Sequence, residues 1–281
     1  MRKKMAWMLA WLCSGMAWAQ SDTVLLAKPL WAVNKATSIG YGSASVYDSY
    51  LSPLEYNGNS YSFLHERVSR THLLNDRLVK QQLFGLNLTS TENPAKNATT
   101  YSAIAEYRLG AHYPVWQRGN FRFRAGGVWN LGGGVVYNQR NSNNPASAKA
   151  YTNLNVSVQS FFRWKSLLLR WQLDTPVVGV FFTPEYGESY YEVSLGNYPN
   201  AVHFASIHNQ RALLSYFSAD FPVSNWTIRL GLQSSLYQTR ANSLVSHLYT
   251  HNILIGLVSE SLNLSGKRLK KTKIFKSALD E

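Results

Sequence analysis

Apolar and polar residues alternate along most of this chain with a period of two. From Tyr101 the odd positions read Tyr101, Ala103, Ala105, Tyr107, Leu109, Ala111 and Tyr113; the even ones read Ser102, Ile104, Glu106, Arg108, Gly110 and His112. After Thr152 the apolar set is Leu154, Val156, Val158, Phe162 and Trp164, broken by Ser160, against Asn153, Asn155, Ser157, Gln159, Phe161 and Arg163. Trp226, Ile228, Leu230, Leu232 and Leu236 alternate in the same way with Thr227, Arg229, Gly231, Gln233 and Ser235. Such alternation predicts strands with one apolar and one wet face, and helical periodicity is scarce.

A soluble β-sandwich also alternates, but three features point to an all-β transmembrane antiparallel barrel. The periodic stretches are far longer than the 5–6 residues usual for soluble strands. Aromatics fall near their ends (Tyr101, Tyr113, Trp129, Trp164, Trp171, Trp226, Tyr237 and Tyr249), as in the interfacial girdles of membrane barrels. The polar face carries charge in mid-strand at Glu106, Arg108, Arg122, Arg124, Arg170 and Arg229, and a dry sandwich core does not accept such groups unpaired.

The pattern predicts ten strands, near 37–48, 60–72, 78–90, 99–114, 120–138, 151–164, 166–178, 208–221, 225–239 and 247–259. Short connections near His72–Asp76, Pro114–Gly119, Lys165–Ser166 and Pro222–Asn225 then alternate with longer ones, the arrangement of periplasmic turns and outside loops. The segment 179–207 reads as an outside hairpin turning at Pro184–Glu188, or as two further strands that raise the count to twelve.

The ends of the chain add export and charge. MRKK, an apolar run from Met5 to Met16 and Ala17-Trp18-Ala19 have the three parts of a secretory signal peptide, residues 1–19. The run is too short for a membrane-spanning helix, which needs about 20 residues. Leu12 before Cys13 argues against a lipoprotein site, and cleavage after Ala19 removes the only cysteine. The expected organisation is the signal peptide, a periplasmic segment 20–36, a barrel 37–260 and a basic tail 261–281 with six Lys/Arg between Gly266 and Lys276. The net charge of +13 falls to +10 when Arg2, Lys3 and Lys4 leave with the signal peptide. A pI near 9.8 suggests nucleic acid in a cytoplasmic protein, but export removes that partner. Anionic lipid, including lipopolysaccharide, and the barrel-assembly machinery are the expected partners.

The chemistry is less legible. Glu66 and Arg70 share a strand face, and with Glu106, Arg108, Arg122 and Arg124 they form a candidate charge cluster inside the lumen. Paired, these groups plug the barrel; an excess of arginine instead makes an anion path or ligand pocket. The same parity turns His65 and Arg67 toward lipid, which requires a bulge or a place near an interface. Tyr186, Glu188, Tyr190 and Glu192 in the outside segment are candidate contacts for a small ligand of unknown identity.

A hydrolase or acyltransferase is the runner-up function, since Ser206 and His208 share a face with Asn209 nearby. A soluble periplasmic β protein is the third. An omptin-like protease needs paired acids at the outer mouth, and Asp174 and Asp220 fall at different heights. His247 and His251 lie about 13 Å apart along a strand, too far to share a metal. No cofactor, metal or catalytic residue is expected.

DSYLSPLEY at 48–56 and PEYGESYYE at 184–192 together resemble an uncharacterised family of outer-membrane barrel proteins of Bacteroides-like bacteria, classed as a domain of unknown function. The resemblance implies a barrel and the outer membrane, and no reaction. The expected function is structural, or the passive binding or transport of a small molecule.

Overall fold

The computed structural model describes residues 30–187, 195, 199–223, 226–261, 275–277 and 279. The signal-peptide segment lies outside the described residues. Among the described residues there are twelve strands: β1 Leu30–Asp48, β2 Tyr56–Arg70, β3 Val79–Glu92, β4 Thr99–Arg118, β5 Phe121–Asn138, β6 Ala146–Trp164, β7 Leu167–Phe182, β8 Val202–Ser206, β9 Gln210–Val223, β10 Trp226–Ala241, β11 Leu244–Ser261 and β12 Phe275–Ser277. Each long strand pairs antiparallel with its neighbours, and β11 closes back on β1 from Val33↔Ser261 to Asp48↔Ser246. Closure is how a sheet satisfies its backbone groups in a bilayer. Ten strands form the wall. β8 and β12 are short additions beside β7 and β1.

Alternation decides which side chains face where. Outward positions carry Ile39, Tyr61, Phe84, Leu131, Val156, Leu232, Ile253 and Ile255, all exposed. Inward positions carry Glu66, Arg124, Gln159, Arg170 and Arg229, all buried. Apolar outside and polar inside is the reverse of a water-soluble barrel, and this is an outer-membrane β-barrel. The short turns mark the periplasmic end and the longer loops the outer end. Tyr113, Trp116, Phe121, Trp164, Trp171 and Trp226 ring the turn end, while Tyr101 and Tyr137 stand toward the loops. Tyr237 does not join them. Its odd position on β10 puts it inside with Arg229, and its ring stacks on Tyr151 at 4.7 Å.

Three local results bear on the sequence pattern. β1 begins at Leu30 rather than 37, because Ala32, Asn34 and Ala36 continue its inward row with too little polarity contrast to be read. The region 179–207 adds no wall strand. Val178–Phe182 pairs with Val202–Ser206 as an outside extension, and the chain turns at Tyr186–Gly187, with Gly187 at a φ of 89°. Pro176 sits where β7 changes partner, since β7 pairs β9 only from Leu168 to Asp174 and β8 only from Val178. Proline donates no ladder hydrogen bond, so it suits that break. Lastly, β2 keeps one register with both neighbours from Asn57 to Val68, so no bulge turns His65 and Arg67 inward.

Candidate functional site

The lumen is filled in layers. At the turn end Val68, Val79, Phe161 and Leu168 form an apolar cluster with Leu279 from the C-terminal segment. Arg122 Nη1 donates to the Leu279 carbonyl at 2.7 Å. The guanidinium of Arg124 lies 4.7 Å from the Phe161 ring centroid.

Above that cluster sits a balanced quartet of charge. Arg170 grips Glu66 with both terminal nitrogens at 2.8 Å, a bidentate geometry. Arg229 donates from Nη1 to Glu66 at 2.6 Å. Its Nε and Nη2 reach the two oxygens of Asp220 at 2.6 and 2.7 Å. Two carboxylates thus meet two guanidiniums, all buried. An amide belt continues across the barrel. Gln81 Nε2 donates to Glu66 at 2.6 Å and to Gln172 at 2.8 Å, and Gln159 Nε2 donates to Gln172 at 3.0 Å. Gln172 in turn donates to Asp174 at 3.0 Å, which also accepts from Ser157 Oγ at 2.5 Å, and His112 meets that hydroxyl at 2.8 Å. Strands β2, β3, β4, β6, β7, β9 and β10 are tied together across the interior. A buried pair of this kind holds because each charge has several hydrogen-bonded partners.

Leu64, Leu83, Tyr216 and Leu254 form an apolar layer over the quartet. Beyond it lies a cavity bordered by Val46, Glu106, Arg108, Val136, Lys149, Tyr151, Tyr237 and Leu248. Arg108 pairs with Glu106, which also accepts from Tyr151 Oη at 2.5 Å. Gly132 faces this ring from β5: a Cβ there would lie 2.3 Å from the tyrosine, so only glycine lets Tyr151 lie across the wall.

Residues 49–55, the first outer loop, cover the cavity. Tyr50 and Leu51 are buried against Val46, Val136 and Leu244. Asp48 holds the turn by accepting from the backbone amide of Tyr50 at 3.1 Å, and its carboxylate lies 2.7 Å from Lys149 Nζ. Lys149 also donates to Ser246 at 3.0 Å. The DSYLSPLEY stretch is thus a roof latched to β6 and β11.

The expected charge cluster is divided rather than united. Glu66 belongs to the turn-end quartet, while Glu106 and Arg108 border the cavity. Arg70 lies 3.7 Å over the Trp31 ring, and Arg122 and Arg124 lie against Phe161. The partners of Glu66 are instead Arg170 and Arg229, because height along the barrel decides who meets. Arg170 and Arg229 are each the fourth residue of their strand above a periplasmic turn, and Asp220 is the fourth before one. Counting from the short turns was the available signal for the quartet. Tyr186 is exposed, and Glu188, Tyr190 and Glu192 lie outside the described residues.

Ser206 and His208 do hydrogen-bond at the β8–β9 turn. Asn209 does not orient the imidazole: its Oδ1 accepts from the Ser206 amide at 2.9 Å and its Nδ2 donates to the Phe204 carbonyl at 2.7 Å. The trio closes a turn and lacks the relay that activates a serine.

The model of the family described as "Protein of unknown function (DUF3316)" matches residues 6–268. The chain belongs to that family. No curated protein matches it. Among solved structures, Ail of Yersinia pestis with sucrose octasulfate aligns at 9% identity, covering 82% of this chain and 100% of that one with a TM-score of 0.35. An outer-membrane channel of Pseudomonas putida F1 aligns at 10% identity over 83% and 96%, with a TM-score of 0.36. The translocator domain of the autotransporter NalP from Neisseria meningitidis aligns at 9% over 91% and 96%, with a TM-score of 0.37. As a DUF3316 member the chain carries a family without an assigned ligand, so its function rests on the lumen.

Proposed function

We propose that this outer-membrane barrel binds a small molecule in its outer half and does not conduct solute. The observation that carries the reading is the roofed cavity above the Glu66–Arg170–Arg229–Asp220 quartet. A solute entering from outside meets an apolar layer and then paired charge, while a molecule with an apolar body and one polar group matches the cavity lining. Val46, Val136, Leu248 and the Tyr151–Tyr237 stack suit the body, and Arg108 or Lys149 the polar group. Export through a cleaved signal peptide and insertion by the barrel-assembly machinery complete this reading.

The probe is anilinonaphthalene sulfonate, which has that shape. Gly85 borders the cavity, and a Cβ there makes only ordinary contacts of 3.7 and 4.0 Å with Leu64 and Leu83, so Gly85→Phe fills the space. Native mass spectrometry is expected to find one probe bound to the wild type and none to Gly85→Phe. Equal binding by the two proteins would refute the reading.

A further inference from the structure

The outer wall is not uniform around its circumference. On β4 every outward position from Tyr101 to Tyr113 is apolar or aromatic, seven in a row. Across β1, β2 and β3 the matched outward rows tell another story. Ile39↔Phe63↔Leu86 and Tyr41↔Tyr61↔Leu88 are apolar. The rows above them, Ser43↔Asn59↔Ser90 and Ser45↔Asn57↔Glu92, are polar. Below them come Thr37↔His65↔Phe84 and then Lys35↔Arg67↔Gln82. Lys80 follows one outward step below Gln82, opposite Ser69 on β2. This sector replaces the aromatic girdle of the turn end with three cations.

Like charges directly opposite on neighbouring strands repel. Lys35 and Arg67 are such a pair, and among the described residues no acid pairs with either of them or with Lys80. Arg67 Nε is buried and meets no acceptor. Asp and Glu are lacking on the outward rows near them: the neighbours are Thr37, Ser69, Gln82 and, across the seam on β11, Ser259. The ligand this arrangement suits is therefore an anion supplied from outside the chain. Its position on a lipid-facing wall, below two apolar rows and toward the periplasmic turns, identifies the source.

We propose that Lys35 and Arg67, supported by Lys80, bind the phosphate of an anionic phospholipid of the periplasmic leaflet. A lipid headgroup is drawn up the β1–β3 sector here because only two full apolar rows cover it, against a usual band of about 25 Å. This site is independent of the lumen cavity. It also gives a role to the two outward residues that strand parity otherwise makes unfavourable, His65 and Arg67: Thr37 Oγ1 meets His65 Nδ1 at 2.9 Å, and Arg67 meets headgroup phosphate.

Native mass spectrometry of the full chain in a nonionic detergent, titrated with dihexanoyl phosphatidylglycerol, tests the site. The wild type is expected to retain one lipid at least tenfold more tightly than Lys35→Gln/Arg67→Gln. Lys80→Gln alone is expected to lie between them. The control is Arg211→Gln/Arg240→Gln, two cations toward the loop end, which should bind as the wild type does. Folding of each variant is read from heat-modifiable gel mobility, and Arg67→Lys, which keeps the charge, serves if the double variant does not fold and should retain most of the binding. Equal lipid retention by the wild type and by Lys35→Gln/Arg67→Gln (or, where that variant does not fold, by Lys35→Gln/Lys80→Gln), or displacement of the lipid by millimolar inorganic phosphate, would overturn the proposal.

Discussion

The two halves of the lumen are built from the same alternating strands and behave as different materials. In the periplasmic half, charged and amidic inward side chains reach one another across the barrel next to an apolar cluster at the turn end. In the outer half small inward residues, Ser62, Gly85, Ser235 and Ser246, border a cavity that the Tyr151–Tyr237 stack only partly crosses. Ten strands enclose little more than the packed interior of an eight-stranded barrel. Side-chain size at inward positions therefore decides where the lumen is solid and where it holds a cavity. The difference teaches that closure and binding are separable here.

Breaking the solid half should have the largest effect. Glu66→Ala leaves Arg170 and Arg229 buried, facing each other without the carboxylate, and should cost about 3–5 kcal/mol. The check is a fall in the temperature at which the folded band is lost in heat-modifiable electrophoresis. Asp220→Asn removes the charge at one end of the quartet while Glu66 still holds Arg229, so a smaller loss of about 1.5–3 kcal/mol is expected. If the two variants lose the same stability, Glu66 is not the hub.

The contrast with the cavity sharpens at Tyr237→Ala. That change removes one ring of the Tyr151 stack and a hydrogen bond from Gln210 at 2.8 Å, beside space that is already empty. We expect it to weaken probe binding at least tenfold while costing less stability than Glu66→Ala. Smallest of all is Lys149→Ala, which unlatches the roof. It should cost about 1 kcal/mol or less, because the lysine is partly exposed. Its signature is faster protease cleavage within residues 49–55, and unchanged cleavage would mean that Tyr50 and Leu51 hold the loop unaided.

Much of this architecture is legible in the sequence. The period-two pattern carries the ten strands, and the chain ends carry the expectation of export. Glu66, Arg108, Arg122 and Arg124 are buried at inward positions. What parity does not carry is height. Glu66 and Arg70 share a strand face, yet Glu66 meets Arg170 and Arg229, which are 104 and 163 residues away in sequence. Those meetings depend on shear and tilt of the closed sheet, which no local window contains. The cavity was equally hidden, because its small lining residues, Ser62, Gly85, Ser235 and Ser246, come from four strands rather than from any motif. The burial of Tyr50 and Leu51 in the DSYLSPLEY stretch likewise depends on Val136 and Leu244 from distant strands.

The central claim is that the periplasmic half of the lumen is shut. Conductance of the purified wild-type barrel in a planar lipid bilayer tests it most directly. The account predicts no steady ohmic current at either polarity, because the quartet and the apolar layer above it leave no continuous water path. A stable, ohmic single-channel current from the folded wild type would contradict it.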